Sequence, residues 1–448
     1  MTAMTRPQVR TRTSPAVTAG TVLLAAVLVN LLIVEILFVT GGAANTTLTA
    51  IGRFFGLNAA FLMILQLTLV ARLPWLDRRL GMDKLTAWHR WVGFTLFWCV
   101  GLHLTFILLS YGRLDHLSVF AEFVNLAGVL GTFVGIAASA IILIVAITSV
   151  RYARRKLPYE LWHAVHIGLY VAIALALVHQ FYEGSSFKTT LFAELYWWAL
   201  WAFAIGSLIL FRVIVPIWRN AKHQFRVAAV VPESDNIVSV HVTGKHLDQL
   251  PALAGQFFIW RFPGYGHWWD ANPFSMSAAP NGRSLRLTAK AIGSASARLR
   301  NIPVGTRVFA EGPYGALTSL QRVTESSVLI AGGIGITPIR SLLEELPGPI
   351  VVLYRVSTMA DAVLFAELQA LAELRGAQLH VLSGRTGVGS PPFTPFEPPN
   401  LYALVPDIAQ RDVFICGPDA MTAAVLRTLR ELKVPERQVH AERFRLVG

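Results

Sequence analysis

Four histidines lie inside long apolar segments of the chain. His89 and His103 are 14 residues apart, and His166 and His179 are 13 residues apart. Polar side chains in hydrocarbon are costly and are usually functional. If both segments cross a membrane in the same direction, each carries one histidine at each of two depths. At a helical rise of about 1.5 Å per residue, these depths are about 20 Å apart.

Two histidine pairs at two depths are what two haems with bis-histidine ligation require. His89 with His166 would form the inner pair, and His103 with His179 the outer pair. Neutral imidazole is a good axial ligand, and a helical bundle can enclose a porphyrin. A spacing of 14 returns to nearly the same helix face, about 40° off, whereas a spacing of 13 lies about 140° away. A local tightening, a bulge or an offset of the haems must absorb that difference. The alternative is that these histidines cap helices or bond backbone carbonyls.

The elements that must position these histidines are apolar runs of membrane-spanning length. Each run reaches the ~20 residues that a helix needs to cross hydrocarbon. The first run exceeds the length of a signal-peptide core and is followed by further runs, which favours an uncleaved anchor. The six predicted spans are residues 18–40, 52–73, 91–110, 125–150, 161–181 and 191–215.

The basic residues near the ends of these runs predict the topology. With the N-terminus inside, the inner flanks carry fourteen Lys and Arg residues and the outer loops carry three, namely Arg53, Arg113 and Lys188. This positive-inside bias predicts a multi-pass protein of the plasma membrane. The N-terminus and everything after residue 220 would then lie in the cytoplasm.

The composition excludes several classes of protein. Hydrophobic residues make up 54% of the 448 residues and charged residues only 15%, against about 25% charged in soluble domains. Two cysteines exclude a disulfide scaffold and a four-thiolate metal site. No C-x-x-C-H motif for covalent haem is present. The net charge of +13 arises mostly in the apolar half, so we expect no nucleic-acid partner.

The second half of the chain has the pattern of a soluble module. Short alternating strands at 225–231, 237–242, 256–261 and 284–289 predict a small antiparallel barrel. From about residue 325 the order strand, glycine-rich turn, helix, strand predicts a doubly wound α/β domain.

Two turns at predicted strand ends in the α/β domain favour nucleotide binding. The strand 327–331 leads into Gly332-Gly333-Ile334-Gly335-Ile336-Thr337-Pro338 and a helix at 339–346. Glycines at such a turn let backbone amides approach a pyrophosphate. A second strand follows at 350–354, and Cys416-Gly417-Pro418 ends a further strand.

Taken together, these patterns resemble the ferric reductase and NADPH oxidase superfamily, in which a six-span, two-haem membrane domain precedes a ferredoxin-reductase-like FAD and NAD(P)H module. The segment from Tyr159 to His166, with His179, is similar to the fifth-span haem signature, and His89 and His103 match the third-span pair. The resemblance implies an α-helical membrane bundle, an antiparallel β-barrel flavin domain and an α/β doubly wound domain. The implied parts are an N-terminal segment 1–17, a haem-binding membrane domain 18–220, an FAD domain 221–322 and an NAD(P)H domain 323–448.

The same resemblance implies the residues that contact FAD. The stretch Asn272-Pro273-Phe274-Ser275 is similar to the family's H-P-F-[ST] motif, with asparagine in place of the usual histidine. Phe274 would pack against the isoalloxazine, and Ser275 would bond near flavin N5. The FAD pyrophosphate would lie against a segment that contains Lys290, Gly293, Ser294 and Ser296.

For the nucleotide, the resemblance implies three further elements. Gly333, Gly335, Thr337 and Pro338 match the dinucleotide loop, and Cys416, Gly417 and Pro418 are similar to the element beside the nicotinamide. Phe444, in Glu442-Arg443-Phe444, resembles the aromatic that covers the flavin until nicotinamide displaces it; the alternative is a terminal core aromatic.

Two arginines favour NADPH over NADH. Arg355 and Arg385 could bind a 2′-phosphate, and no acidic residue ends that strand to bond the ribose diol. The alternative is that both are solvated loop residues.

The implied function is electron transfer from cytoplasmic NADPH through FAD and two b-type haems to an external acceptor. Ferric iron or a ferric chelate is the leading acceptor, and O2 with superoxide as product is the second. Ile107 stands where animal oxidases carry a histidine, and there is no EF-hand loop. Two alternatives remain: a six-span transporter or sensor with a nucleotide-binding domain, and a quinone-linked carrier. We expect no obligatory protein partner.

Overall fold

The structure is a computed structural model that describes residues 15–42, 44–150, 156–265, 272–389 and 393–442. The side chains of residues 15, 16, 159, 160, 294 and 295 lie outside this description.

Among the described residues, six helical segments are long and apolar enough to cross a membrane, which confirms the predicted number of spans. The third and sixth spans are longer than predicted because their helices continue beyond the apolar run into polar flanks, whereas the second span ends at Val70, before the predicted residue 73. The third span is the clearest case, since its helix starts nine residues before the predicted residue 91. The six spans are Val17–Thr40, Thr47–Val70, Met82–Leu114, Leu130–Ser149, Leu161–Glu183 and Leu191–His223.

The helices of this half are numbered here in chain order. They are α1 Pro15–Thr40, α2 Thr47–Val70, α3 Pro74–Leu80, α4 Met82–Leu114, α5 Val119–Ala127, α6 Leu130–Ser149, α7 Tyr159–Ile167, α8 Leu169–Glu183, α9 Leu191–Ile209 and α10 Val215–His223. The core between the spans contains fully buried Trp197 and Trp201 together with small residues such as Ala60 and Ala172.

The predicted fourth span, residues 125–150, is wrong as a single helix. The structure divides it into α5 and α6, because Gly128 ends α5 and Val129 is extended. Ser118 caps α5 by accepting a hydrogen bond from the backbone of Ala121. The fourth span therefore begins at Leu130.

The fifth span is interrupted at Gly168, between its two histidines. The amide of Gly168 donates to Val165 at 3.1 Å, and the amide of Val171 donates to the carbonyl of Gly168 at 3.0 Å. These i to i−3 hydrogen bonds tighten the helix locally, as in a 3₁₀ turn. The spacing of 13 residues could be accommodated by a local tightening, a bulge or an offset of the haems, and the structure contains a local tightening. A tighter turn adds rotation per residue, which brings His166 and His179 closer to the same face of the helix.

The sixth span changes its helix type before it ends. Residues Leu210–Ile214 form a π-turn, and Pro216 lies in the first turn of α10. Proline has no amide to donate and clashes with the carbonyl four residues earlier, so the preceding turn widens.

The described part of the predicted FAD domain, called the flavin domain below, contains two three-stranded antiparallel sheets. The orders are β1-β2-β5 and β4-β3-β6, and single bridges join the sheets at both sides, between Met276 and Leu287 and between Arg226 and Arg307. The six described strands are thus antiparallel, as predicted, and are divided between two short sheets. Their bounds are β1 Arg226–Ser234, β2 Ile237–Thr243, β3 Phe257–Arg261, β4 Asn272–Ser275, β5 Ser284–Lys290 and β6 Phe309–Tyr314.

The predicted NAD(P)H domain, called the nucleotide domain below, has the predicted doubly wound α/β fold. Its described strands form one parallel sheet in the order β11-β10-β7-β8-β9. Their bounds are β7 Ser327–Gly332, β8 Ile350–Val356, β9 Gln378–Ser383, β10 Asp412–Cys416 and β11 Val439–Glu442. The helices that follow α10 are α11 Ser294–Arg298 in the flavin domain, then α12 Ile336–Glu345, α13 Phe365–Arg375, α14 Pro398–Leu404 and α15 Asp419–Glu431.

The chain forms two compact units that do not follow the linear order of the predicted domains. One unit comprises Val22–Leu73 and Leu85–Arg212. The other contains Val213–Gly448, the start of α1 and the connection Pro74–Lys84 between the second and third spans.

Substitutions at Gly255 and Gly305 provide a test of the packing in the flavin domain. It has a φ of +85°, and a Cβ atom there would lie 1.9 Å from the carbonyl oxygen of Leu317. Gly305 has a φ of +88° but open space around it. We expect Gly305→Ala to cost about 1–2 kcal/mol of unfolding free energy through backbone strain. Gly255→Ala should cost about 1–3 kcal/mol more because of the steric clash.

The measurement is thermal or denaturant unfolding of both variants in detergent. Equal destabilisation of the two variants would contradict the packing around Gly255.

Candidate functional site

The outer histidine pair brings His103 of α4 and His179 of α8 together. The centroids of the two rings are 6.3 Å apart, and the ring planes are inclined by 65°. The Nδ1 atom of His103 lies 2.8 Å from the carbonyl oxygen of Gly52, and that of His179 lies 2.9 Å from the carbonyl oxygen of Gly131. Because a carbonyl can only accept, Nδ1 carries the hydrogen and Nε2 keeps its lone pair.

Glycines one turn further along α2 and α6 let these rings approach the helix backbone. A Cβ atom at Gly56 would lie 2.8 Å from Nδ1 of His103, and one at Gly135 would lie 2.6 Å from Nδ1 of His179. The two sides of the pair thus have the same construction, with glycines at positions i and i+4. The sequence analysis missed these four glycines, although small residues at this spacing in a span are a recognisable sign of close packing.

The inner pair consists of His89 of α4 and His166 of α7. Its ring centroids are 6.2 Å apart, and the planes are inclined by 67°. The ring of Trp162 stacks on that of His166 at 4.9 Å. The structure therefore brings together both predicted pairs, at nearly equal separations. No group of three or more His, Cys, Asp or Glu side chains within the described residues could hold a metal ion by itself.

In the flavin domain, the segment Asn272–Ser275 forms β4 rather than a loop. Ser275 pairs with Phe257 of β3, which in turn pairs with Tyr314 of β6. The hydroxyl of Ser275 is buried and has no hydrogen-bond partner among the described residues. Phe274 is half-buried beside it, and its carbonyl accepts a hydrogen bond from the Trp260 indole at 3.0 Å.

The rest of this motif and the predicted pyrophosphate segment have the following positions. The Asn272 amide donates to the carbonyl of Trp260 at 3.4 Å, and Pro273 is exposed. Lys290 ends β5 and is exposed, as is Gly293. The hydroxyl of Ser296 accepts from the amides of Ile292 and Gly293, so it caps its own helix. The side chain of Ser294 lies outside the described residues.

The predicted dinucleotide loop lies at the carboxyl end of β7. Gly333 has a φ of +52°, and Gly335 is so close to β10 that a Cβ atom would lie 2.3 Å from the carbonyl oxygen of Cys416. The hydroxyl of Thr337 donates to the carbonyl of Ile334 at 3.0 Å. The loop therefore meets the segment Cys416-Gly417-Pro418 at one edge of the sheet, and Pro338 is buried in the first turn of α12.

The two predicted arginines lie at the same edge, because β8 pairs in parallel with β7 and β9 pairs in parallel with β8. Arg355 ends β8; its guanidinium donates to Leu382 at 3.2 Å and to the Thr386 hydroxyl at 3.1 Å, and it lies over the Phe393 ring. Partial burial lowers the pKa of Arg355. Arg385 follows β9 and is exposed.

At the end of β10, Cys416 is fully buried and pairs in register with Glu442 of β11. Burial, and then the nearby Glu442, raise the pKa of the Cys416 thiol well above its ordinary value. Burial, followed by Asp83 and Asp77, raises the pKa of Glu442 likewise. The sequence analysis used Glu442 only as part of a motif and missed it as a half-buried acid with a raised pKa. Phe444 lies outside the described residues.

Comparison with known proteins supports what the sequence predicts for both halves of the chain. Residues 55–177 match the family described as ferric reductase like transmembrane component. The chain is 32% identical over 210 residues to the ferredoxin–NAD(+) reductase component of the alkene monooxygenase system of Xanthobacter autotrophicus, covering 43% of this chain and 61% of that protein. It thus spans less than two thirds of that relative.

Two further relatives cover different shares of their own length. The chain is 30% identical over 189 residues to ferredoxin–NADP reductase B of Sorangium cellulosum, covering 38% of this chain and 77% of that protein. It is 28% identical over 217 residues to dual oxidase 2 of Sus scrofa, covering 36% of this chain and 14% of that protein.

Fold, site and relatives define a class of protein: a membrane helical bundle fused to a ferredoxin-reductase-like flavin and nucleotide module. Residues 55–177 belong to the ferric reductase like transmembrane component, and the second half belongs with the ferredoxin–NADP reductases. This is the combination of parts that was expected from the sequence, and the similarity to dual oxidase 2 supports it.

The raised pKa of Cys416 predicts an unreactive thiol. Since alkylation requires the thiolate, a maleimide should not modify Cys416 in the folded Cys99→Ala variant at pH 7 to 8, but should modify it in denaturant. The folded pKa exceeds the unfolded one, so the stability that this group contributes is present below the unfolded pKa, about 8.5. It is lost as the pH rises through the folded value. Mass spectrometry of the labelled protein provides the measurement, and rapid labelling of the folded variant would contradict it.

Proposed function

We propose that this protein is a transmembrane NADPH-dependent oxidoreductase that passes electrons through FAD and two b-type haems to an external acceptor. NADPH would bind on the cytoplasmic side of the plasma membrane, and the acceptor on the opposite side. The observation that supports the route across the membrane is the pairing of imidazoles at 6.2 and 6.3 Å between ring centroids.

Two tests of fit support haem at these pairs. Two imidazoles that ligate one ion from opposite sides, with metal–nitrogen bonds of about 2 Å, have ring centres about 6 Å apart. In the outer pair, the Nδ1 hydrogen bonds to Gly52 and Gly131 direct each Nε2 lone pair away from the backbone and make it available to a metal. A porphyrin would supply the other ligands of its iron, so two protein ligands would be enough. His103 with His179 and His89 with His166 would hold the two irons.

The buried hydroxyl of Ser275 supports FAD in the flavin domain. A buried hydroxyl without a partner costs about 1–3 kcal/mol, and a ligand atom that bonds it removes that cost. Ser275 would donate to the flavin, and Phe274 would pack against its ring system. FAD, when bound, supplies the conversion of a two-electron hydride into single electrons.

For the nucleotide, the glycine loop and the segment from Cys416 to Pro418 would enclose the dinucleotide at the carboxyl edge of the sheet. The exposed Arg385 and the half-exposed Arg355 at that edge favour NADPH through its 2′-phosphate, and NADH is the second candidate. Cys416, held neutral by burial, would lie beside the nicotinamide as an uncharged packing group.

Ferric iron or a ferric chelate is the acceptor that we favour over O2. The position one turn after His103 holds Ile107, which packs against Gly52 and offers no polar group. The Arg53 guanidinium is bonded to Gly41, Gly42 and Ser186, so it ties outer loops together. An acceptor that takes an electron at the protein surface, as a chelate does, needs no dedicated pocket here. Superoxide formation is the second candidate function.

The decisive experiment measures haem. We expect the purified protein to contain two low-spin haems that NADPH reduces under nitrogen. His103→Ala and His166→Ala should each remove one haem, because each pair loses one of the two imidazoles that would hold the iron. Pyridine haemochromogen titration and absorption spectra provide the measurement.

Two glycine-to-alanine variants make this haem test more specific. Gly56→Ala should disturb the outer haem, because the new Cβ atom meets the His103 ring, whereas Gly101→Ala on the third span enters open space and should retain both. A well-folded protein without haem would contradict the proposal and leave the transporter or sensor alternative. Rates with a ferric chelate and with O2, compared on one preparation, rank the acceptors.

A second prediction concerns the buried hydroxyl. We expect Ser275→Ala to leave the stability of the FAD-free protein unchanged or higher, and to slow hydride transfer to bound FAD about tenfold by removing a hydrogen bond. Ser327→Ala is the matched control, since Ser327 is also a fully buried serine without a partner among the described residues but lies at the start of β7. Stopped-flow flavin reduction and thermal unfolding of both variants provide the measurements; identical hydride-transfer rates would refute the role of Ser275.

A further inference from the structure

One helix of the nucleotide domain carries both the predicted dinucleotide loop and a set of contacts to the flavin domain. Helix α12 begins directly after the turn Gly333–Gly335, and Thr337 and Pro338 lie in its first turn. Its last residue, Glu345, comes eight positions after Thr337, which is about 12 Å along the helix axis. The flavin domain and the nucleotide domain belong to the same compact unit of the chain.

The C-terminal half of α12 binds the segment that precedes β3. The carboxylate of Glu345 accepts a hydrogen bond from the amide of Ala254 at 2.9 Å and one from the hydroxyl of Ser319 at 2.6 Å. The hydroxyl of Ser341 accepts from the amide of Gly255 at 3.3 Å. Ala254 and Gly255 are buried. If α12 moved away, their amides would lose partners that water could not replace.

A second contact joins α12 to the segment that follows β4. The carboxylate of Glu344 accepts from the amide of Ala279 and from the guanidinium of Arg340 one turn earlier, both at 2.5 Å. Ala279 comes four residues after Ser275, the predicted flavin contact. The helix that begins at the dinucleotide loop is therefore bonded to the backbone that continues from Ser275.

A pair of arginines that share one carboxylate strengthens this contact. Glu367 of α13 accepts two hydrogen bonds from Arg286 of β5, at 2.9 and 3.1 Å, and pairs with Arg340 of α12 at 2.5 Å. The Nε atom of Arg286 also donates to the buried hydroxyl of Ser277 at 2.9 Å. Hydrogen bonds between charged groups are stronger than neutral ones. Residues 275–279 are thus held to α12 both directly and through Glu367.

The two domains also share one apolar core. Ile237 of β2, Ala254 and Leu317 of the flavin domain are buried in the same cluster as Ile339 and Leu342 of α12. Protein interiors are close-packed and have low compressibility, so they transmit strain. The polar contacts of α12 therefore border a packed interface, and a change in one of them is passed to the helix as a whole.

We propose that Glu344 and Glu345 are positioning residues that fix the distance between the dinucleotide loop and Ser275, and with it the distance over which hydride passes from the nucleotide to the flavin. This inference rests on the proposed function. In that step the hydride leaves C4 of the nicotinamide with its electron pair and bonds to N5 of the flavin, so that NADPH is oxidised to NADP+ and FAD is reduced. Among the described residues, neither carboxylate bonds the loop itself, so both act through α12.

The physical reason is the steep dependence of the reaction on distance. Reacting atoms must lie about 3–3.5 Å apart, and a displacement of about 1 Å can cost about 10²-fold in rate. A shift of α12 at its bonded end reaches the loop, because a helix of ten residues is a single hydrogen-bonded element. The affinity for NADPH should change much less than the rate, since the loop and the exposed Arg385 are themselves unaltered.

The test measures backbone protection and hydride transfer in the full-length protein. Hydrogen exchange read by mass spectrometry should become faster at the amide of Ala254 in Glu345→Ala and at that of Ala279 in Glu344→Ala. In stopped-flow experiments we expect each variant to reduce bound flavin at least tenfold more slowly at saturating NADPH, while the Kd for NADPH stays within twofold of wild type. Glu345→Gln, which keeps an acceptor oxygen for Ala254, should restore most of the rate. Glu344→Ala serves alone if Glu345→Ala does not retain FAD.

Glu431→Ala is the matched control, because Glu431, like Glu345, is the last residue of a helix in the nucleotide domain but is exposed. It should change neither the exchange nor the rate. Unchanged flavin reduction in both Glu344→Ala and Glu345→Ala would overturn the inference, as would weaker NADPH binding with an unchanged maximal rate. A wild-type protein whose flavin NADPH does not reduce would instead refute the proposed function, so the two failures are distinguishable.

Discussion

The candidate electron path depends on a hydrogen bond from an imidazole to a helix carbonyl. In the outer pair, Gly52 and Gly131 each accept from the Nδ1 atom of a histidine on a neighbouring span. A carbonyl in a regular helix is already bonded within its helix, so a second donor must approach from the side, where a Cβ atom normally stands. Gly56 and Gly135 leave that space open. Ring orientation, tautomer and helix separation are thus determined by the same four glycines.

The fifth span shows why the pattern of histidines alone could not determine the geometry. On an ideal helix, His166 and His179 point about 140° apart, yet each meets its partner on the third span at nearly the same distance. The tight turn at Gly168 lies between them and adds rotation. Span number, histidine levels and the α/β fold were predictable because composition and periodicity carry them. The interruption of the helix at Gly168 was not predictable, because a single glycine in an apolar run has many possible roles.

The flavin domain shows a different limit of sequence analysis. Strands β1, β2, β3 and β5 were predictable from alternating residues, whereas β4 and β6 were not. Asn272-Pro273-Phe274-Ser275 contains a proline, and Gly312-Pro313 ends β6; both features normally weaken a strand prediction. Tertiary contacts overrule these local signals, because β3 pairs with both strands. The motif therefore predicts a flavin contact at these residues, but not the strand that carries them.

The membrane half and the nucleotide domain share one feature, which is a glycine at a place where another group lies very close to the backbone. Gly335 allows the loop after β7 to lie against the carbonyl of Cys416, just as Gly56 and Gly135 allow rings to lie against helices. In both places the functional group is positioned by backbone atoms, which do not change with side-chain substitution. The residues that determine these positions are those with the smallest side chains, which an analysis that looks for chemically active groups passes over.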